Sequence, residues 1–436
     1  MVRTIRASLL GLAVAACMAA AAAPAWSSND LVCSSGCPFN SIQAAINAVT
    51  PGTTITIGSG EYFENIVVGK SVTLKGSGNA TVIYPSISTP ECSPGSLCEG
   101  TASNIILVQA NDVTITKLHL DGNNPHLTSG VIRGGQDIDA RNGIIVNFEQ
   151  GVYNDLTVSK VKVSNIYLRG IYASSGGTFN FNHDVVENVQ GEEESIAMFN
   201  FGGSGEMAHN RVTDANDAIS ANWSTGTRFI DNTIAKSGSG LHTDNNGGGG
   251  GDADLIKGNR VRECSVNGYG IFVFVPYVSA TVESNKISAC SVGLAAFGGA
   301  MAGEGPTFAD NSVNGTGAAT SGGGTYGAYL TTDQLGYEYG ELTATFRGDK
   351  FEHFDTGMLV TQTSPTPGQP AGDQATVTAS TDDSFEHDGT GVDGEPGTVV
   401  NAQEDWWGCA QGPNMGGHCN TALGTVTYTP WLTSAP

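Results

Sequence analysis

An Asn or Asp followed two positions later by Val, Ile or Phe recurs along this chain. It predicts an all-β fold, a right-handed parallel β-helix (a solenoid) with a short N-terminal capping helix. The recurrence runs Asp184–Val186, Asn210–Val212, Asn232–Ile234, Asn259–Val261, Asn285–Ile287, Asn311–Val313, Asp349–Phe351 and Asp383–Phe385, in steps of 26, 22, 27, 26, 26, 38 and 34 residues. A period of 22 to 27 with short β-branched runs and Gly/Asn turns is one coil of a β-helix. No coil buries its apolar face alone, so the coils must stack. Handedness follows from the rule for parallel crossovers. The second observation is a further apolar residue in most coils, usually preceded by Gly, as in Gly240–Leu241 and Gly293–Leu294. The third is that Cys264 and Cys290 each lie five residues after a repeat Asn. They occupy the same place on adjacent coils, which puts their Cα atoms within disulfide range.

Composition agrees with one long repetitive domain. Gly is 60 of 436 residues, charged residues are 14% and hydrophobic ones 39%. A disordered chain would be charge-rich and apolar-poor. Collagen would show Gly at every third place. The net charge of −23, from 42 acids against 19 bases, disfavours nucleic acid. It also disfavours a polyanionic glycan without a bound cation or a basic patch, and leaves a neutral partner as the expectation.

The elements follow in order. Residues 1–25 read as a secretory signal: Arg3 and Arg6, an apolar run from Ala7 to Ala23, and the small-residue site Ala23-Pro24-Ala25. An alternative is a loose lipoprotein box in which Cys17 is lipidated. No other segment is apolar over the roughly 18 residues a membrane span needs. Removing Cys17 leaves eight cysteines, whose spacings suggest Cys33–Cys37, Cys92–Cys98, Cys264–Cys290 and Cys409–Cys419. Residues 26–436 then form the single β-helix domain. Asn40-Ser41-Ile42-Gln43 is a capping box that starts a helix over 40–49. Its Phe39, Ile42, Ile46 and Val49 share a face that covers the first coil. Thr54–Ile57 and Ser71–Leu74 alternate as strands. Residues 361–374 are a Pro/Gly/Gln-rich loop, and 401–436, rich in aromatics and Gly, cap the far end.

The segment FNSIQAAINAVTPGTTITIGSGEYFENIVVGKSVTLKGSGNATVI resembles the opening of secreted bacterial right-handed parallel β-helix proteins of the pectate-lyase-like superfamily. The terminal NAQEDWWGCAQGP with PWL resembles a recurrent ending of that group. The resemblance implies carbohydrate-related roles: lyases, hydrolases, esterases, epimerases and non-catalytic relatives. The chain departs from the ordered motifs of the pectate-lyase-like, polygalacturonase-like and alginate-epimerase-like branches, so no branch is assigned.

Aligning the main strand across coils gives an inward column of Ile144, Ile171, Ile196, Ile219, Leu241, Ile271, Leu294, Ala328 and Met358. Alternation sends Ile145, Tyr172, Ala197, Ser220, His242, Phe272, Ala295 and Tyr329 outward. A second outward column reads Asn147, Ser174, Phe199, Asn222, Asp244, Phe274, Phe297 and Thr331. Aromatic platforms beside polar groups suit the apolar faces and hydroxyls of a sugar. The expected catalytic set is Asp217, Asp244, Glu194 and His242, with Glu194 and Asp217 a carboxylate pair on adjacent coils. The expected substrate contacts are Asn222, Trp223, Phe199, Phe272, Phe274, Tyr172 and Asn245. Asn210, Asn232, Asn259 and Asn285 read as structural, either turn residues or an Asn ladder. Asp137 and Asp139 are a candidate Ca²⁺ pair. The chain thus reads as a secreted protein acting on a polysaccharide, of glycoside hydrolase or polysaccharide lyase type. The alternative is a non-catalytic glycan-binding or structural surface solenoid.

Overall fold

Each coil is built around a corner that the sequence repeat encodes directly. In His209-Asn210-Arg211-Val212-Thr213-Asp214, the first and last residues both have φ of 57°. The strand between them buries Val212, and its two left-handed ends turn the chain out of one face and into the next. Asn, Asp and Gly tolerate that conformation best. The repeat Asn itself points inward. Asp184 N–H donates to Asn210 Oδ1, Asn210 N–H to Asn232 Oδ1, Asn232 N–H to Asn259 Oδ1, and so on through Asn285, Asn311, Asp349, Asp383 and Asp405, at 2.7–3.1 Å. All are buried. The ladder satisfies backbone donors that the corners would otherwise orphan inside the core.

The computed structural model describes residues 30–174, 176–245, 252–274, 280–298, 305–332, 340–362 and 374–436. The expected signal segment 1–25 with Cys17, and most of the expected 361–374 loop, lie outside the described residues. The described chain is an all-β parallel β-helix with one short α-helix. One sheet stacks 14 strands in chain order, from Thr53–Thr56 to Val426–Thr427. A second set holds the short corner strands and the longer main-face strands, joined where the 13-residue strand Lys162–Ser174 runs through the corner. Among the described residues every pairing is parallel except the small hairpin of Ile132–Arg133 with Gln136–Asp137.

A continuous apolar core runs from Val32 to Trp407. Ile42, Ala45 and Ile46 of the helix Ile42–Ala48 close its first coil. The expected capping box is not closed. Ser41, not Asn40, is the N-cap, accepting from Ala44 N–H, while Gln43 turns away to Asn47 and Val67. Glu64 from the first coil takes its place and accepts from Ile42 N–H (2.8 Å) and Gln43 N–H (3.0 Å). A carboxylate on these free N–H groups also suits the positive end of the helix. At the far end Trp407 is fully buried, 5.4 Å from the Phe385 ring. All four expected disulfides are present, and Cys264–Cys290 joins adjacent coils.

The inward column differs from the expectation in one coil. Ile171 pairs with Met198, and Met198 with Ile219, so Met198 and not Ile196 points into the core. The turn before it is the reason. Asp184 to Met198 is a step of 14 positions where Asn210 to Ile219 is nine. The extra chain is a closed turn in which Ser195 Oγ accepts from Glu192 N–H and donates to Tyr167 O. From Gly143 to Gly391 a small residue, Gly or Ala, precedes the inward position of each coil; a Cβ at Gly240, for instance, would stand 2.3 Å from Gly270 O of the next coil. Ala197 and Ala218 fill that column here, and Ala197 was the mark of the true register.

Candidate functional site

Three columns of side chains face outward on the main face, and the register defines them. The first carries Arg169, Ile196, Asp217, Ser239 and Tyr269 across successive coils. The second carries Tyr172, Phe199, Ser220, His242 and Phe272. The third runs from Ser174 through Phe201, Asn222 and Asp244 to Phe274. The two middle coils therefore hold a polar island of Asp217, Ser239, Ser220, His242, Asn222 and Asp244. Apolar and aromatic side chains border it on both sides.

The two-residue shift corrects the expected site. Phe199 sits in the second column and Phe201 takes its expected place. Ile196, not Glu194, lies beside Asp217. Glu194 is on the exposed turn, its backbone carbonyl accepting from Arg169. The expected Glu194–Asp217 pair does not form.

Asp217 is instead paired with His242. Its Oδ2 lies 3.5 Å from His242 Nδ1, and its Oδ1 accepts from Ser239 Oγ. Ser220 Oγ is 3.0 Å from the same Nδ1 and spends its own proton on Asn222 Oδ1 at 2.6 Å. Both neighbours of Nδ1 are thus acceptors, which puts the imidazole proton on Nδ1. In the neutral ring Nε2 then carries the lone pair. It is buried and has no hydrogen-bond partner among the described residues. The ring stacks on Phe272 at 4.3 Å and 16°. Such a carboxylate-oriented imidazole can take a proton at Nε2 while the carboxylate steadies the resulting cation.

Asp244 has a different setting. The pairing of Asp217–Ser224 with Ser239–Asn245 jumps from Ala221–Thr243 to Ser224–Asn245, so Asn222 and Trp223 together oppose Asp244. This is a β-bulge, a device that re-aims a side chain. Trp223 has φ of 51° and is 55% exposed. A bulky residue there costs roughly 1–3 kcal/mol. Its N–H donates to Asp244 Oδ1. Burial pushes the Asp244 carboxyl up to about 6, against the opposing effects of His242 and the Trp223 N–H. Asn245 pairs with Ser224 at the strand end.

The aromatics divide by coil. Tyr172 and Phe199 stack at 4.7 Å but are each only 5% exposed, packed with Leu97, Ile145 and Ile196 under the 85–103 loop. That loop is closed by Cys92–Cys98 and tied down by Arg141, which donates to Pro90 O (2.8 Å) and Gly95 O (2.9 Å). These two aromatics, expected as sugar contacts, are covered. On the other side Tyr269, Phe272 and Phe274 are half-buried around Phe297 and stay partly open. The main face is thus covered at its N-terminal end and carries partly open aromatics toward the C-terminal coils.

The Ca²⁺ expectation gains no support from side-chain geometry. The Asp137 carboxylate accepts from Ser129 and Gly130 in a turn, and Asp139 Oδ2 accepts from Asn124 N–H. Among the described residues no cluster of three His, Cys, Asp or Glu is arranged to hold a metal. No helix among them is long and apolar enough to cross a membrane.

Residues 142–313 match the family described as right handed beta helix region. No curated protein matches the sequence. The A-module of Azotobacter vinelandii mannuronan C-5 epimerase AlgE4 superposes with a TM-score of 0.56 at 16% identity, over 82% of this chain and 94% of that one. The AlgE6 A-module of the same organism gives 0.54 at 16%, over 91% and 94%. The Yersinia enterocolitica family 28 exopolygalacturonase gives 0.50 at 10%, over 89% and 75%. At these identities the likeness is one of fold.

Proposed function

We propose, taking as premise that the chain is a right-handed parallel β-helix of the pectate-lyase-like kind, that it is a secreted carbohydrate-active enzyme. It cleaves or rearranges a neutral or weakly charged polysaccharide in the main-face groove. The observation that carries this reading is the polar island with its Asp217–His242 pair set beside open aromatic platforms. His242 Nε2 serves as the proton carrier, taking a proton from the attacking hydroxyl or water and giving it back to the departing glycosidic oxygen, and Asp217 orients the ring. Phe272, Phe274 and Trp223 receive the apolar faces of sugar rings, and Asn222 a hydroxyl. With the N-terminal end covered by the Leu97 loop, the glycan runs toward the C-terminal coils and presents a chain end to the island. Secretion is supported by the signal-like residues 1–25 and by four disulfides, which suit an oxidising compartment.

The test is to incubate the purified mature protein with a polysaccharide panel and follow reducing ends and unsaturated products. Turnover that vanishes in Asp217→Asn supports the reading, and attack at chain ends shows as new reducing ends outpacing the fall in viscosity. Binding to a polysaccharide without turnover would favour the non-catalytic alternative, and neither binding nor turnover would sink the groove assignment.

A further inference from the structure

The bulge at Asn222–Trp223 is held from both neighbouring coils. Gly202 N–H, from the coil before, donates to Asn222 O at 2.9 Å. Asp244, from the coil after, accepts from Trp223 N–H through its side chain. In a regular parallel ladder a strand N–H meets a backbone carbonyl of the adjacent coil. The bulge takes Trp223 out of that register, and a carboxylate stands where the carbonyl would be. The cost of this arrangement is visible twice. Trp223 is the only Trp, Phe or Tyr with a positive φ among the described residues, and Asp244 is a carboxyl brought into a 9%-exposed position. What the arrangement achieves is an indole turned out of the face, 55% exposed, at the edge of the polar island.

We propose that Asp244 is a positioning residue, whose carboxylate latches the bulge and so holds the Trp223 indole outward as a stacking platform, and that it carries no proton to or from substrate. What the platform receives rests on the glycan reading above; the latch itself does not. An amide oxygen can accept the same hydrogen bond, so the latch survives Asp244→Asn and is lost in Asp244→Ala.

The experiment isolates Trp223 by subtracting the fluorescence of Trp223→Phe from that of the protein carrying Trp223. Acrylamide quenching and emission maximum are read from this difference for wild type, Asp244→Asn and Asp244→Ala. The expected result is a wild-type signal in Asp244→Asn and a quenching constant changed about twofold or more in Asp244→Ala. An unchanged signal in Asp244→Ala, or an Asp244→Asn signal altered as much as that of Asp244→Ala, overturns the proposal. Should Asp244→Ala not fold, amide hydrogen exchange of the wild-type peptide over 217–224 decides. A Trp223 amide slowed at least tenfold below an exposed amide supports the latch, and one exchanging at the solvent rate overturns it. None of these readouts needs a glycan, so a failed polysaccharide panel and a failed latch are separate results.

Discussion

The Asp217 carboxylate lies 3.5 Å from Nδ1 of His242, one coil along the solenoid, and Ser220 Oγ meets the same nitrogen. Two acceptors on one ring nitrogen leave the other free to act as a base. The nearest carboxylate to Asp217 had been expected on the turn of Glu192–Glu194, and the structure replaces that acid pair with an acid–imidazole pair.

Asp217→Asn and His242→Gln should therefore each lower turnover about a hundredfold or more, the usual loss of an acid–base group. Glu194→Gln, on the exposed turn, should leave it unchanged. Initial rates on a polysaccharide accepted by the wild type, with melting temperatures as a folding control, check the contrast.

Stability should fall as pH rises from about 4 to 8. Ser380 Oγ lies 2.6 Å from both Asp383 Oδ2 and Asp405 Oδ2, and a hydroxyl has one proton to give. One of these carboxyls must keep its own. Burial pushes Asp349 and Asp405 up to about 7 and Asp184 to about 8, outweighing the bonds they accept, and burial with its acidic neighbours raises Asp383 in the same direction. The folded chain holds protons that the unfolded chain releases near pH 4, so this stabilisation is full below that pH and lost as pH passes the folded values. Asp383→Asn should flatten the decline. Melting temperatures at pH 5 and 8 that fall equally in wild type and variant would contradict this.

Removal of the Cys264–Cys290 bond should lower stability by about 3 kcal/mol, the range expected for closing a loop of this length. The bond spans 26 residues and joins equivalent places on adjacent coils. Denaturant midpoints of the Cys264→Ala, Cys290→Ala double variant test the size. Peptide mapping without reductant tests the bond itself, which two free thiols would disprove.

Ile46→Asp should cause aggregation, because Ile46 is buried against the first coil and an unpaired charge there costs several kcal/mol, on the order of 3 or more. Glu64→Ala should weaken the same cap more mildly, by about 1–2 kcal/mol, through loss of two N-terminal hydrogen bonds. Light scattering and melting curves distinguish the two degrees of damage.

The repeat with its recurring Asn, the capping helix and the four cysteine pairs were all legible in the sequence, because each depends on chemistry written at a fixed local spacing; that the Asn side chains form an inward ladder was decided by the stacking of the coils. Repeat residues announce themselves by type, and Cys264 and Cys290 by equal distance from a repeat Asn. Two-residue alternation likewise placed Ser220, His242 and Asp244 on the outer face. Only the tertiary structure decided how coils of unequal length align. The turn before Ile196 lengthens one coil, and inter-coil packing, not periodicity, then chose Met198 as the buried residue. The cover on Tyr172 and Phe199 came from Leu97, far back in the chain and tied down by Arg141 through carbonyls that no sequence pattern marks. The bulge that turns Trp223 outward depends on a register slip against the next strand, a relation between two strands that neither strand's own sequence contains.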